Sequence, residues 1–112
     1  MRERVLIVED NKALAKLIAK KMNAHVDMDI VVTHSYAEAI EAIEENDDFF
    51  IALLDINLPD APDGEVVDYV LSKNILAIIL TGSVDENLKK LFIQKNIVDY
   101  VVKDNLDAIN YI

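Results

Sequence analysis

Cysteine and tryptophan are absent from this chain, and glycine and proline occur only twice each. Without cysteine there is no disulfide framework, no thiolate metal site and no thiol nucleophile. Two glycines exclude a glycine-rich phosphate cradle, and the turn after the first apolar run lacks G-x-G-x-x-G, which disfavours a nucleotide-binding Rossmann domain. No apolar run approaches the roughly 20 residues that span a bilayer. The opening "MRERVLIVED" lacks the charged, apolar and small regions of a secretory leader. A cytoplasmic chain without a membrane partner is the expectation. Positive charge is scarce too: 11 basic residues face 21 acidic ones, a net charge of −10. Such a surface repels nucleic acid and favours cations or basic partners, so direct DNA binding is not expected. Solubility alone accounts for the surplus equally well.

What is present is a regular alternation. The 112 residues, 53% of them hydrophobic, suit a single domain with one core. "RVLIV" (4–8), "DIVVTH" (29–34), "FFIALL" (49–54), "LAIIL" (76–80) and "VDYVV" (98–102) read as strands, three of them nearly continuous apolar runs of the kind buried on both faces. Helical periodicity lies between them. Residues 11–24 place Leu14, Leu17, Ile18 and Met22 on one face and Lys12, Lys16 and Lys20 on another. Residues 36–46 turn Ile40 and Ile43 inward, 64–73 offer Val66, Val67, Val70 and Leu71, and 84–95 offer Val84, Leu88, Leu91 and Phe92. Ser35-Tyr36-Ala37-Glu38 and Ser83-Val84-Asp85-Glu86 read as capping boxes. Five strand–helix alternations imply an α/β domain with a parallel sheet and right-handed crossovers. The last helix, starting near Asp104 or Asn105, has about two turns before Ile112. That is short for a flank of the sheet, so residues 1–112 read as one domain cut from a longer protein.

Ligands of open α/β sheets sit beyond the carboxyl ends of the strands. Those ends carry Glu9 and Asp10, then Thr33, His34 and Ser35, then Asp55, Thr81 and Lys103. Each has an ordinary explanation: Asp10 as a helix cap, Thr81 as a strand residue near a turn, Lys103 as a solvated charge. Together they pose an electrostatic problem. Two like charges ~4 Å apart repel by about 4 kcal/mol at an effective dielectric of ~20. Three clustered carboxylates therefore need a cation, and oxygen ligands without cysteine or histidine select a hard ion such as Mg²⁺.

"VLIVEDN", "LLDINLP", "ILTGS" and "DYVVKD", in this order and at these strand ends, resemble the receiver domains of bacterial two-component response regulators, over essentially the whole chain. The resemblance implies a flavodoxin-like, doubly wound five-stranded parallel sheet of order 2-1-3-4-5, with the last helix truncated. It implies that Asp55 accepts a phosphoryl group from a histidine kinase or phosphotransfer protein. Glu9, Asp10, Asp55 and the backbone carbonyl of Asn57 would hold Mg²⁺, or Mn²⁺. Lys103 would pair with Asp55 or the phosphate. Thr81 would bond the phosphoryl oxygens and, with Tyr100 as the aromatic that changes rotamer, carry the signal to a face formed by residues 84–112. An output domain, a protein partner or a homodimer mate would dock there. Beyond its own aspartyl phosphorylation and dephosphorylation, no enzymatic activity is implied.

The pattern departs from the family in three places. Asp104 stands where the family usually has proline after a cis bond, and a cis bond without proline costs ~2.5–4 kcal/mol, so trans is expected. The stretch from Asp55 to Gly64 is one residue longer than usual, with Pro62 added. Gly82 replaces a commoner alanine, and its freedom would loosen the switch loop. His25 and His34 have no metal-ligand spacing and read as structural, while Phe49, Phe50 and Phe92 read as core. Two other readings remain open: a degenerate receiver that binds partners without phosphate, and a magnesium-dependent phosphohydrolase. The latter usually carries D-x-D after its first strand, where this chain has "EDN". The ending after Lys103 loosely resembles receivers joined to cyclic-di-GMP-related output domains.

Overall fold

Among the described residues, eight elements follow one another: β1 (Glu3–Val8), α1 (Lys12–Asn23), β2 (Met28–Thr33), α2 (Tyr36–Glu45), β3 (Ile51–Asp55), α3 (Glu65–Ser72), β4 (Leu76–Thr81) and β5 (Asp99–Val102). The structure is a computed structural model that describes residues 3–24, 27–82, 87, 90, 94–95 and 97–103. The five strands form one sheet in the order β2-β1-β3-β4-β5, and every neighbouring pair is parallel. This is the flavodoxin-like order that the resemblance implies. Of the helix read over 84–95, Asn87 and Lys90 are described and helical. The Ser83 capping box, Phe92, His25 and the truncated helix after Lys103 lie outside the described residues.

Side-chain alternation along the strands feeds two cores, one on each face of the sheet. Leu6, Val8, Ala52, Leu54, Ala77 and Ile79 pack with Ala39 and Ile43 of α2 and Val66, Val67 and Val70 of α3. Val5, Ile7, Leu53, Ile78 and Leu80 turn the other way, onto Ala15, Ile18 and Met22 of α1. Being covered on both sides, β3 is buried at every position, whereas the edge strand β2 is largely half-exposed. Each fully buried Leu, Ile or Val contributes about 1.5–3 kcal/mol of transfer free energy, which outweighs the intrinsic preferences of short strands.

The helix starts explain how the sheet edge is left free for chemistry. Asn11, not Asp10, caps α1: its Oδ1 accepts the Leu14 N–H at 3.0 Å. Ser35 caps α2 by accepting the Glu38 N–H at 3.1 Å. Glu38 returns to the Ser35 hydroxyl at 3.2 Å, where a full capping box would have it on the Ser35 backbone. Gly64 opens α3 at φ 75°, a left-handed conformation in which a Cβ is strained.

Two core expectations are corrected. Leu17 is 42% exposed, because the buried stripe of α1 runs through Ala15, Ile18 and Met22 and Leu17 lies about 100° around the helix from Ile18. Phe50 is 48% exposed, because β3 begins one residue later and Phe50 sits at the amino end of the sheet. Its neighbour Phe49 is the buried ring, roofed by the Arg4 guanidinium carbon 4.3 Å from its centroid.

Candidate functional site

Since all five strands are parallel, their carboxyl ends share one edge, and side chains far apart in sequence converge there. Glu9 follows β1 and its N–H donates to the Thr33 carbonyl of β2 at 3.0 Å. Asp55 is the last residue of β3. Lys103 follows β5, and its N–H donates to the Thr81 carbonyl at 2.6 Å, so the end of β5 is fixed to the end of β4. Glu9, Asp55 and Thr81 are buried, and Asp10 is exposed.

The three carboxylates form a cluster whose nearest oxygens all lie within 4.8 Å of one another. The lysine enters between two of them. Lys103 Nζ lies 3.1 Å from Asp55 Oδ2 and 2.6 Å from Glu9 Oε1. Asp55 Oδ1 accepts the Asn57 N–H at 2.9 Å, and Glu9 Oε2 accepts the Asn11 N–H at 3.0 Å. Glu9 Oε1 is buried and is met by the Lys103 ammonium as an ion pair.

Burial pushes the Glu9 carboxyl up to about 7, with the Lys103 ammonium and the Asn11 N–H offsetting only part of the cost. Asp10 moves the opposite way. Its side-chain contact with Asp55, assisted by Glu9 and by the Lys103 charge, holds it below the usual carboxylate range despite some desolvation. Burial pulls the Lys103 ammonium down, yet its pairing with Glu9 and Asp55 outweighs that and leaves it raised. The site therefore mixes an ionised outer acid, a buried acid reluctant to ionise, and a firmly charged lysine.

A hard divalent cation fits these residues. The donors are all carboxylate oxygens, on groups that repel one another. Asn57 is exposed beside Asp55, within the turn that its own N–H closes. Tyr100 packs against the core formed with α2 and α3, its ring hydroxyl buried and without a hydrogen-bond partner. Asp104 lies outside the described residues.

Two contacts near the site escaped sequence reasoning. His34 Nδ1 lies 3.0 Å from the Glu9 carbonyl, which can only accept, so Nδ1 carries the proton. Asp60 accepts the Tyr36 and Ala37 N–H groups, each at 3.0 Å. No spacing rule marks either one, since both contacts join segments separated by more than 20 residues.

A parallel sheet of this order with an acid cluster and a lysine at its carboxyl edge defines a class, and the comparisons agree with it. The chain belongs to the response regulator receiver domain family, whose sequence model matches residues 5–110. The signal receiver domain of a putative LuxO repressor protein from Vibrio parahaemolyticus superposes with a TM-score of 0.87 at 30% identity, covering 99% of this chain and 86% of that one. A putative two-component system response regulator/GGDEF domain protein gives 0.83 at 27% identity; the match covers 98% of this chain but spans 44% of that protein. The phosphorylated cyanobacterial phytochrome response regulator RcpA gives 0.82 at 26% identity, over 99% of this chain and 88% of that one. No curated protein sequence matches the chain.

Proposed function

We propose that this receiver domain is a phosphorylation-controlled switch that takes a phosphoryl group from a histidine kinase, or a phosphotransfer protein, onto Asp55. One observation carries the reading: Lys103 Nζ sits between the Asp55 and Glu9 carboxylates at 3.1 and 2.6 Å, in a cluster that Asp10 completes. The reading is supported by the Asp55 carboxylate lying beside the Lys103 ammonium and two further acids. A relative 26% identical is known in a phosphorylated form.

In the transfer, an Asp55 oxygen forms a new P–O bond as the P–N bond of the donor phosphohistidine breaks, and the imidazole leaves. Such a transfer needs in-line positioning and charge neutralisation more than covalent assistance from the protein. Asn57 N–H orients the acceptor by holding Oδ1. Lys103, already poised on Oδ2, stabilises charge on the incoming phosphoryl oxygens. Glu9, Asp10, Asp55 and the Asn57 carbonyl would hold Mg²⁺ or Mn²⁺, which would neutralise charge on the phosphoryl group. The domain then catalyses only its own phosphorylation and dephosphorylation.

Thr81 at the neighbouring strand end is the hydroxyl that would follow the phosphoryl group. A buried phenol without a partner costs about 1–3 kcal/mol, so Tyr100 has reason to take a second position if space opens. Output through the surface of residues 84–112, to an attached domain, a protein partner or a second copy, completes the reading. A relative that carries a GGDEF domain supports the attached domain. The setting would be cytoplasmic.

The test uses acetyl phosphate as a small donor with Mg²⁺ and intact-protein mass spectrometry. One phosphoryl group per chain should appear, EDTA should prevent it, and Asp55→Asn should abolish it. Absence of labelling, or labelling that persists in EDTA, would contradict the proposal.

A further inference from the structure

Asp60 lies between β3 and α3, outside the carboxylate cluster, and the reaction as proposed gives it no task. Both of its oxygens are nevertheless committed to another element. Oδ1 accepts the Tyr36 N–H and Oδ2 the Ala37 N–H, each at 3.0 Å. These are the first two amides of α2, which have no partner within the helix. Ser35 Oγ takes the third, from Glu38, at 3.1 Å. From Ala39 onward the helix supplies its own acceptors, beginning with the Ser35 carbonyl at 3.0 Å. The two bonds from α2 hold the Asp60 carboxyl below the usual carboxylate range, so the acceptor is charged and the contact is of the stronger, charge-assisted kind. It also places a negative group at the positive end of a helix.

On the loop side, Asp60 belongs to a tight turn. Leu58 and Ala61 pair across it, with the Ala61 N–H on the Leu58 carbonyl at 3.0 Å, and both side chains are fully buried. Leu58 follows directly on Asn57, whose N–H holds Asp55 Oδ1 at 2.9 Å. An unbroken mechanical path thus runs from the start of α2 through Asp60 and the buried turn to Asn57 and the Asp55 carboxylate.

We propose that Asp60 is a positioning residue for the acceptor site. By fastening the turn of residues 58–61 to the start of α2, it keeps Asn57 where its N–H orients Asp55 and its carbonyl can join a metal ion. The consequence for labelling rests on the reading of Asp55 as acceptor, whereas the consequence for Asn57 does not.

Asp60→Ala, Asp60→Asn and Ser35→Ala distinguish this from simple capping of α2. Ser35→Ala weakens the same helix start without touching the loop. Three quantities are read: Mg²⁺ affinity by calorimetry, hydrogen exchange at the Asn57 amide, and the rate of labelling by acetyl phosphate. Asp60→Ala should weaken Mg²⁺ binding by about 10-fold or more, the usual effect of removing a group that orients a ligand. It should also speed Asn57 exchange and slow labelling. Asp60→Asn keeps one acceptor oxygen and should fall between, which preserves the test if the alanine variant does not fold. Ser35→Ala should leave all three readings at wild-type values. Equal effects of Asp60→Ala and Ser35→Ala, or an Asn57 amide indifferent to both Asp60 variants, would overturn the proposal. If wild-type protein takes no phosphoryl group while Asn57 exchange responds to Asp60 as described, the acceptor reading fails and the positioning role stands.

Discussion

Glu9 has the most unusual environment of any side chain at the sheet edge, with an acid buried to zero exposure and raised from 4.5 to about 7. Between those values the folded chain holds a proton that the unfolded chain releases. The stabilising contribution of that proton is complete below about 4.5 and is lost as the pH rises through about 7. Metal-free protein should therefore lose urea resistance between pH 5 and 8, and Glu9→Gln should flatten that slope; an unchanged slope in the variant would place the titration elsewhere. Lys103 opposes the same problem from the other side. Lys103→Met leaves Glu9 and Asp55 facing each other, and breaking such a buried pair costs about 3–5 kcal/mol. The loss should be larger at pH 8 than at pH 5, where Glu9 can take a proton. Urea titrations at the two pH values check it. The convergence of Glu9, Asp10, Asp55, Thr81 and Lys103 was legible in the sequence, because each falls just at or after an apolar strand and parallel strands share one carboxyl edge. The attachments of His34 and Asp60 were not, since they depend on where a loop comes to rest against a distant helix.

At the scale of elements, the pattern identified which segments are helices and strands better than it identified their inward faces. The α1 stripe was read through Leu14, Leu17, Ile18 and Met22; the sheet takes Ile18 and Met22 as read, but it admits Ala15 and leaves Leu17 exposed. A close helix–sheet approach favours a small residue on the contact line, and hydrophobicity alone cannot see that. Ile18→Ala should cost about 2–5 kcal/mol, while Leu17→Ala should change stability by no more than about 0.5 kcal/mol; denaturant titrations of the pair check this. Gly82 offers a second case. A Cβ there would meet nothing within 4 Å and the backbone is not left-handed, so the geometry makes no demand for glycine. Gly82→Ala should stabilise the domain by about 0.4–1 kcal/mol, through a less disordered unfolded chain. A loss of stability in the same titration would show that the residue needs its freedom.

For the whole molecule, strand order was the feature that periodicity could not supply. Alternating strands and helices fix a parallel α/β sheet, but the placement of β1 between β2 and β3 came from the family resemblance, and the fold bears it out. That order brings the acids after β1 beside the end of β3, and the lysine after β5 reaches both across the end of β4. Charge acts at this scale as well. A chain of net charge −10 with buried acids at one edge gains from any cation that binds there, by the ordinary linkage between binding and stability. The central claim is narrower than the fold: of the acids gathered around this edge, Asp55 receives the phosphoryl group. Trapping answers it most directly. Protein labelled with acetyl phosphate and Mg²⁺ is reduced with borohydride, which converts an aspartyl phosphate to homoserine, and then digested and sequenced by mass spectrometry. Homoserine at position 55 alone is the predicted result; homoserine at Asp10, Asp60 or Asp63, or at no position in labelled protein, would contradict it.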